Sequence, residues 1–300
     1  MRETYGRLLP EMRPGDLAGK LIVIEGTDGA GRSTQIDLLK PWLEELGHAV
    51  VDTGMTRSPL AGEGIRRAKE GNNLGRVTQA LFYATDFVDR LENEIVPALR
   101  AGFIVLTDRY IYSLMARAIV RGMDPRWIRS IYSVALKPDA VFYLRLGIDQ
   151  LLPRVVFSRG FDYWESGMDL YPGHDMFDSF CSYQAALLTE FDRFSAEFNF
   201  QMVNAAADAR TVCAHLQKNI LHLLDRDSRK NFISHLYNDS TQAGQPVPLA
   251  ALQEKVQERG RAGKPPDTAL FAVAAPVATP NTNGNGNANG HHHHAAHPGR

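Results

Sequence analysis

Residues 21–34 read Leu-Ile-Val-Ile-Glu-Gly-Thr-Asp-Gly-Ala-Gly-Arg-Ser-Thr, an apolar run that passes directly into a glycine-rich loop. Four residues separate Gly26 from Gly31, and a basic residue and a hydroxyl follow as Arg32 and Ser33. In a loop of this spacing, backbone N–H groups surround phosphate oxygens and the hydroxyl reaches Mg²⁺. The sequence therefore predicts a buried strand followed by a phosphate-binding loop.

The helix predicted over residues 33–46 supports this loop, because a helix presents the positive end of its dipole to an anion at its N-terminus. An ordinary glycine-rich turn is the alternative interpretation, and the agreement of strand, spacing, hydroxyl and helix opposes it. The residues that we expect to hold the phosphates of ATP are Gly26, Thr27, Asp28, Gly29, Ala30, Gly31, Arg32, Ser33 and Thr34.

Arg32 is the exception in this loop, because the position normally holds lysine. A guanidinium keeps the positive charge, but it is planar and longer than an ammonium, and the two are not interchangeable. We therefore expect ordinary affinity for ATP combined with low turnover.

The composition excludes several classes of protein. An apolar content of 44% is enough for a core, and a net charge of −1 gives no general affinity for nucleic acid. Cys181 and Cys213 have no zinc-binding spacing and form no disulfide framework, which fits a reducing compartment. Neither a membrane-spanning run nor the apolar centre of a signal peptide is present. We expect a cytoplasmic protein without a nucleic-acid or membrane partner.

Strand-like runs alternate with helical patterns between residues 20 and 225. The predicted strands are 21–25, 48–52, 103–107, 139–145 and 199–203. The predicted helices are 33–46, 61–69, 75–100, 111–135, 149–158, 176–197 and 207–224. This alternation predicts an α/β fold, a doubly wound parallel sheet of about five strands flanked by helices, with ligands at the carboxyl ends of the strands.

Both ends of the chain are predicted to lie outside this domain. Residues 1–19 read as a polar N-terminal extension, and 226–261 as a helical extension with a short helix over 246–260. From 262 to 300, Pro, Ala, Asn and Gly dominate, so we expect a disordered low-complexity tail. The histidine run 291–294 is capable of weak metal binding, but a polar tail or an artificial addition explains it more simply.

A second motif, Thr107-Asp108-Arg109-Tyr110, closes the predicted strand 103–107. An acid at the tip of a parallel strand beside a phosphate loop is placed to act on Mg²⁺. The guanidinium of Arg109 can bind two oxygens of an acceptor phosphate. A helix cap with a solvated arginine is the alternative, and the preceding phosphate loop favours the functional interpretation.

With both motifs in place, residues 20–225 resemble the thymidylate kinases, a family of P-loop nucleoside monophosphate kinases. The family's opening E-G-x-D-G-x-G-K-S/T-x-Q is matched except at Arg32, and its D-R-Y-x-x-S motif is intact. The T-R-E-P-G-G-T segment is degraded, and the arginine-bearing lid resembles residues 153–165. The matched segments are, in chain order, Glu25–Gln35, Thr56–Gly62, Leu81–Leu99, Asp108–Ser113 and Pro153–Glu165.

The resemblance implies an ATP- and Mg²⁺-dependent transfer of phosphate to a nucleoside monophosphate, which is dTMP in the family. It also implies a homodimer. The implied catalytic residues are Arg32, Asp108, Arg109, Arg154 and Arg159, and the implied metal ligands are Ser33 and Asp108. The implied acceptor-binding residues are Asp28, Arg57, Tyr83, Phe87, Arg109, Ser113 and Arg117.

Each role comes from the family. Asp28 would contact the sugar's 3′-hydroxyl, and Arg57 and Arg109 would hold the acceptor phosphate. Tyr83 would stack on the base, and the lid arginines would close over the transferring group. For Arg154, a solvated surface helix remains the competing interpretation.

The departures from the family concern recognition of the base and sugar. Phe87 stands where the family has an arginine that reads thymine, and Arg117 where it has a tyrosine used against a 2′-hydroxyl. Ser58 replaces the glutamate of T-R-E-P. Losing a hydrogen-bonding contact relaxes or redirects specificity. A regulatory nucleotide-binding module derived from the kinase, or a related P-loop kinase with another acceptor, are the alternative functions.

We predict that residues beyond about 262 are dispensable, because their composition lacks core-forming side chains. Deleting residues 262–300 should leave the melting temperature and any kinase activity unchanged within error. A large loss of either in a calorimetric scan or turnover assay would show instead that the tail docks on the domain.

Overall fold

The computed structural model of the chain describes residues 3–6, 17–71, 74–158 and 160–242, with side chains described as far as residue 225. Five parallel strands form one sheet in the order β2-β3-β1-β4-β5. The strands are β1 Lys20–Glu25, β2 Val50–Gly54, β3 Ile104–Asp108, β4 Ala140–Arg145 and β5 Gln201–Asn204. The predicted α/β fold with a parallel sheet is confirmed.

Helices cover both faces of this sheet. The α-helices are α1 Arg32–Glu45, α2 Gly62–Glu70, α3 Arg76–Arg90, α4 Val96–Arg100, α5 Ile111–Val120, α6 Pro125–Ile131, α7 Ile148–Ser158, α8 Met176–Phe198 and α9 Ala209–Gln242. A π-helical turn, Leu91–Ile95, joins α3 to α4, and a 3₁₀ turn, Tyr132–Val134, follows α6.

The central strand β1 shows why both faces are covered. Leu21 and Val23 belong to a core cluster that also contains side chains of α3, α4 and α5. Ile22 and Ile24 belong to a second cluster with side chains of α1 and α9. Successive side chains of a strand point to opposite faces, so an uninterrupted apolar run requires two buried faces.

Several predicted boundaries need correction. The strand predicted at 48–52 begins at Val50, because Gly47 adopts a left-handed conformation with φ of 87° and the N–H of His48 bonds back to α1 at the carbonyl of Leu43, 3.1 Å away. The helix predicted over 75–100 contains the π-helical turn directly before Pro97, which has no N–H to donate to the preceding turn.

The helix predicted over 111–135 is two helices. Gly122, with φ of 79°, ends α5, and its N–H bonds to the carbonyl of Ile119 at 2.8 Å. Asp124 then caps α6 by accepting the backbone N–H groups of Arg126 and Trp127. Gly122 therefore ends the first helix, and Asp124 caps the start of the second.

The last described helix continues beyond its predicted end at 224 to Gln242. The first compact unit spans Met1–Asn231, and the described part of the second is the helical backbone of Phe232–Gln242. The helix predicted at 246–260 and the tail 262–300 lie outside the described residues, as does most of the N-terminal extension.

Residues 3–6 and 17–19 of that extension are described, and both Thr4 and Tyr5 contact the domain. Thr4 forms an antiparallel bridge with Leu136, and the Tyr5 hydroxyl lies 2.5 Å from that of Tyr112. The Tyr5 ring meets Phe198 edge-on, with centroids 5.5 Å apart. In the part of the chain that the structure describes, no helix has both the length and the apolar character that crossing a bilayer requires.

Candidate functional site

Three strand ends bring the motifs together. In the parallel register, Asp108 at the end of β3 pairs with Ile24 of β1 on one side and with Gly54 of β2 on the other. The glycine loop follows β1 and the segment that carries Arg57 follows β2. Parallel strands place their carboxyl ends on one edge of the sheet, so the three segments meet there.

The glycine loop adopts conformations that require glycine. Gly29 has φ of 86°, and a Cβ at this position would lie 2.8 Å from a methyl group of Val155 on α7. A Cβ on Gly26, with φ of 151°, would lie 2.8 Å from the carbonyl oxygen of Leu144. No side chain caps the first turn of α1, which follows the loop directly. The backbone N–H groups at this helix start are therefore suited to an anion.

Arg32 turns inward and ties the loop to β3. Its Nη1 donates to the carbonyl oxygen of Gly26 at 2.6 Å and to that of Thr27, and its Nε donates to Asp108 Oδ1 at 2.7 Å. Its Nη2 lies 3.9 Å from Asp28 Oδ1, beyond hydrogen-bonding distance. Burial disfavours the charge, but Asp108 and Asp28 raise the pKa of Arg32 above its ordinary value. The guanidinium is therefore a fixed positive charge beneath the loop.

Asp108 accepts from both residues that follow the last loop glycine. Its Oδ2 receives the Ser33 hydroxyl at 2.8 Å, and its Oδ1 receives Arg32. Burial raises the pKa of Asp108, but the charges of Arg32 and Arg109 and these hydrogen bonds hold it below its usual range. The carboxylate is therefore ionised at neutral pH.

The pair of Ser33 and Asp108 fits a Mg²⁺ ion. Both groups present hard oxygen donors, and they already lie side by side at the loop. Across the described residues, no cluster of three or more His, Cys, Asp or Glu side chains forms a complete protein cage for a metal. Mg²⁺ usually keeps water and phosphate oxygens beside one or two protein ligands, so this small donor set suits it.

Asp28 lies between two arginines. It is fully buried, and it accepts Nη2 of Arg109 on Oδ1 and Nη2 of Arg117 on Oδ2. Together with Arg32 and Asp108, these side chains comprise three guanidinium groups and two carboxylates, joined by ion pairs at the edge of the sheet.

Arg109 adopts a strained backbone conformation. Its φ is 71°, a region that non-glycine residues rarely occupy. The Thr107 hydroxyl donates to the Arg109 carbonyl at 2.6 Å, and the Arg109 N–H bonds to Ile24 at 3.0 Å. Its Nε is buried and has no hydrogen-bond partner among the described residues. The fold therefore fixes the position of this residue, and its Nε–H is a donor that a ligand could use.

Arg57 is the predicted acceptor-binding residue nearest to solvent. It follows β2, its side chain is half exposed, and its Nη1 bonds to Asp52 Oδ2 at 3.0 Å.

Ser113, also predicted to bind the acceptor, lies inside the domain, where its hydroxyl donates to the buried Glu25 at 2.6 Å. Burial raises the pKa of Glu25 despite this bond. Ser113 thus joins the start of α5 to the end of β1.

Tyr83 and Arg117 line a small cavity between α3 and α5. The cavity has a volume of about 10 Å³, enough for roughly one water molecule. Its other lining residues are Arg76, Gln79, Ala80, Leu114, Ala118, Arg121 and Tyr132. Burial raises the pKa of Tyr83. As described, this cavity is too small to hold a nucleobase.

Phe87 lies in the core. It is fully buried and meets Tyr110 and Tyr132 edge-on, with ring centroids 5.2 and 5.6 Å away. It is absent from the residues that line the cavity beside Tyr83. In this arrangement Phe87 packs as a core residue, and its predicted contact with an acceptor stays a prediction.

The predicted lid divides into described and undescribed parts. Arg154 on α7 donates from Nη2 to the carbonyl oxygen of Ala205 at 2.8 Å, so it is turned toward the loop after β5. Arg159 lies outside the described residues. The helix itself approaches the glycine loop, since Val155 and Leu151 occupy the space where a Gly29 side chain would lie. The structure thus brings α7 to the loop without bringing Arg154 to Asp108.

Arg121 is a connecting residue that the sequence did not reveal. Its N–H groups bond to Asp169, to the Tyr183 hydroxyl and to the carbonyl oxygens of Trp164 and Arg117. It therefore holds the segment after the lid against α5 and α8. Most of these partners are distant in sequence, so no local spacing signals the role.

Comparisons with known proteins point to one family. A family model described as thymidylate kinase matches residues 24–164. A probable thymidylate kinase 2 of Saccharolobus solfataricus is 34% identical over 211 residues, which cover 70% of this chain and 99% of that protein. A probable thymidylate kinase of Thermococcus kodakarensis is 38% identical over 143 residues, 45% of this chain and 70% of the relative. A thymidylate kinase of Brachyspira hyodysenteriae is 26% identical over 208 residues, 68% and 94% of the two chains.

The position of Ser33 generates a binding prediction. Replacing Ser33 by alanine removes one oxygen donor from the pair with Asp108, so the gain in ATP affinity on adding Mg²⁺ should fall by about tenfold. Titration calorimetry with and without Mg²⁺ measures this gain. Ser133→Ala, which removes a hydroxyl that donates to the nearby Ser130 carbonyl, is the control. Equal ATP affinity for the Ser33 variant and the parent, with and without Mg²⁺, would contradict the assignment.

Proposed function

Because the chain belongs to the thymidylate kinase family, we propose that it transfers the γ-phosphoryl group of ATP to a nucleoside monophosphate. The relatives' names and the family resemblance favour dTMP as the acceptor. The observation that carries the proposal is the meeting of Arg32 and Ser33 with Asp108, beside the buried contact of Asp28 with two arginines. A protein that only binds a nucleotide does not need both the contacts of Asp108 with the glycine loop and the arginines on Asp28.

The donor side of the site would hold ATP. Backbone N–H groups of the glycine loop and of the start of α1 would bind the phosphates, and Arg32 would supply a fixed positive charge beneath them. Ser33 and Asp108 would hold Mg²⁺, which when bound neutralises phosphate charge. Because Asp108 is held ionised, it needs no proton transfer before it acts.

The acceptor side of the site would use Arg57 and the two arginines that contact Asp28. Arg57 and Arg109 would bind the acceptor phosphate, and Arg109 has a buried Nε to offer. Asp28, which accepts both Arg109 and Arg117, would also accept the sugar hydroxyl implied by the resemblance. Arg117 would lie next to that sugar, and Tyr83 would stack on the base. Positioning and electrostatics then drive the transfer, with no covalent intermediate required.

Two movements would accompany the reaction. The cavity of about 10 Å³ beside Tyr83 would open to admit a base. Arg154 would exchange the Ala205 carbonyl for the transferring group, with Arg159 as its proposed companion on the lid. Closure of this kind excludes water from the reaction. The homodimer implied by the resemblance, like the cytoplasmic location, stays a prediction.

A catalytically weak regulatory module is the second candidate function. The inward position of Arg32 favours it, because that guanidinium is already engaged by two loop carbonyls and by Asp108. A kinase for another acceptor is the third candidate. The core position of Phe87 and the presence of Arg117 favour it, since neither residue repeats the family's contacts to base and sugar.

An acceptor screen separates these candidates. The chain is incubated with Mg-ATP and each common ribo- and deoxyribonucleoside monophosphate, and diphosphate product is measured by chromatography. We expect product with dTMP, and none from the Asp108→Asn variant prepared in parallel, which controls for contaminating kinases. Product only with a different acceptor would support the third candidate. Absence of product with every acceptor, together with intact ATP binding, would overturn the proposal in favour of the regulatory module.

Arg32→Lys is expected to raise kcat while ATP affinity stays within about twofold. A compact ammonium is better able than the engaged guanidinium to follow charge as it moves in the transition state, where rate is gained. Steady-state kinetics and calorimetry give the two quantities. Arg126→Lys, the same change at an exposed position of α6, is the matched control. A lysine variant slower than the parent would show that the loop has adapted to arginine.

A further inference from the structure

The carboxylate of Asp86 holds the backbone on both sides of Arg57. Asp86 lies on α3, and its Oδ2 accepts the N–H of Thr56 at 3.0 Å. Its Oδ1 accepts the N–H of Ser58, also at 3.0 Å. One side chain thus fixes the residue before and the residue after the guanidinium that is proposed to bind the acceptor phosphate.

Asp86 forms a buried ion pair with a residue one helical turn later. Both Asp86 and Arg90 are almost completely inaccessible to solvent, and Arg90 Nε donates to Asp86 Oδ2 at 3.1 Å. Arg90 Nη1 is buried and has no partner among the described residues. A buried ion pair is often no more stabilising than apolar packing of the same volume. Stability alone is therefore a weak reason for placing these charges inside the domain.

The segment between β2 and α2 depends on outside support. Thr56 has φ of 64°, which is unfavourable for a β-branched residue. The start of α2 packs closely on it, because a Cβ on Gly62 would lie 2.6 Å from the Thr56 carbonyl oxygen. Asp89, also on α3, accepts the hydroxyl of Ser58. The segment is thus held in a strained conformation by two carboxylates from a single helix.

The same helix carries the residue proposed to stack on the base. Tyr83 lies three positions before Asp86 and lines the small cavity between α3 and α5, and residues at this spacing lie on one helical face. A displacement of α3 that opens the cavity would carry Asp86 with it, and with Asp86 the segment around Arg57. Base binding and phosphate binding would therefore be mechanically joined through α3.

We propose that Asp86 is a positioning residue for the acceptor phosphate, acting through Arg57, with Arg90 as its buried ion-pair partner. This inference rests on the proposed function above. A carboxylate is needed because both of its oxygens accept N–H groups. An asparagine offers one acceptor and turns its own NH₂ toward a backbone N–H, which leaves a buried donor unpaired.

The first test compares kinetic constants for the two substrates. In Asp86→Asn, KM for the acceptor should rise about 10- to 100-fold, while KM for ATP stays within about twofold. Asp139→Asn is the matched control, because Asp139 also accepts a backbone N–H, that of Leu21 at 2.8 Å, and pairs with Lys20 at the opposite end of the sheet. It should lower the melting temperature without changing KM for the acceptor. Equal changes in both KM values for Asp86→Asn would indicate a general structural role and overturn the proposal.

The second test asks whether Asp86 acts through Arg57. In an Arg57→Gln background, Asp86→Asn should raise KM for the acceptor by less than about threefold, because the residue that it positions is already gone. Independent, multiplicative effects of the two changes would contradict the proposal. If Asp86→Asn fails to fold, Asp86→Glu, which keeps the charge and displaces the carboxylate by one methylene, takes its place in the comparison with the same expected direction.

A third measurement needs no catalytic activity and so separates failure of this inference from failure of the proposed function. Trypsin cleaves after Arg57 only when the segment is mobile. Cleavage at the Arg57–Ser58 bond should be at least about tenfold faster in Asp86→Asn than in the parent and in Asp139→Asn. Unchanged cleavage would overturn the inference even in an active kinase. Faster cleavage in a chain without activity on any acceptor would support the contact and reject only the function.

Discussion

The carboxylate of Asp108 joins the two strand ends on which the rest of the site depends. It accepts Arg32 and Ser33 from the first loop while its own backbone continues β3, the strand between β1 and β2. The contacts of Asp28 with two arginines and the packing of α7 also hold the glycine loop, but Asp108 contacts the loop directly from a strand of the sheet. The same residue places Arg109, which follows it directly, against Asp28. Loop, metal ligands and acceptor arginine therefore share one anchor.

Arginine in the loop changes how this anchor works. A planar guanidinium presents several donors in fixed directions, so Arg32 reaches two loop carbonyls and Asp108 at once. An ammonium is compact and has three rotatable donors, which suits a charge that moves during transfer. The arrangement thus favours a rigid loop over an adaptable one. On the proposed acceptor side, Arg109 and Arg117 likewise fix Asp28 with guanidinium groups.

Local sequence patterns predicted the fold and the class of ligand. They did not predict contacts between residues that are distant in the sequence. The apolar run into the Gly26 loop and the Asp108 motif are contiguous, so their spacing carries the information. Phe87 was assigned by counting along a helix, and the count does not report that Tyr110 and Tyr132 enclose it. The contact of Asp86 with Thr56 and Ser58 joins residues about 30 positions apart, and only the packing of α3 on the strand ends creates it. The assigned roles of the site residues stay predictions.

The most direct test of the account is a double-mutant cycle on Arg32 and Asp108, read as the free energy of unfolding in urea. The four proteins are the parent, Arg32→Met, Asp108→Asn and the double variant. Each single change leaves a buried partner uncompensated, so the double variant should be more stable than the sum of the single effects by about 1–3 kcal/mol. Additive effects, within about 0.5 kcal/mol, would contradict the claim that this ion pair holds the loop to the sheet.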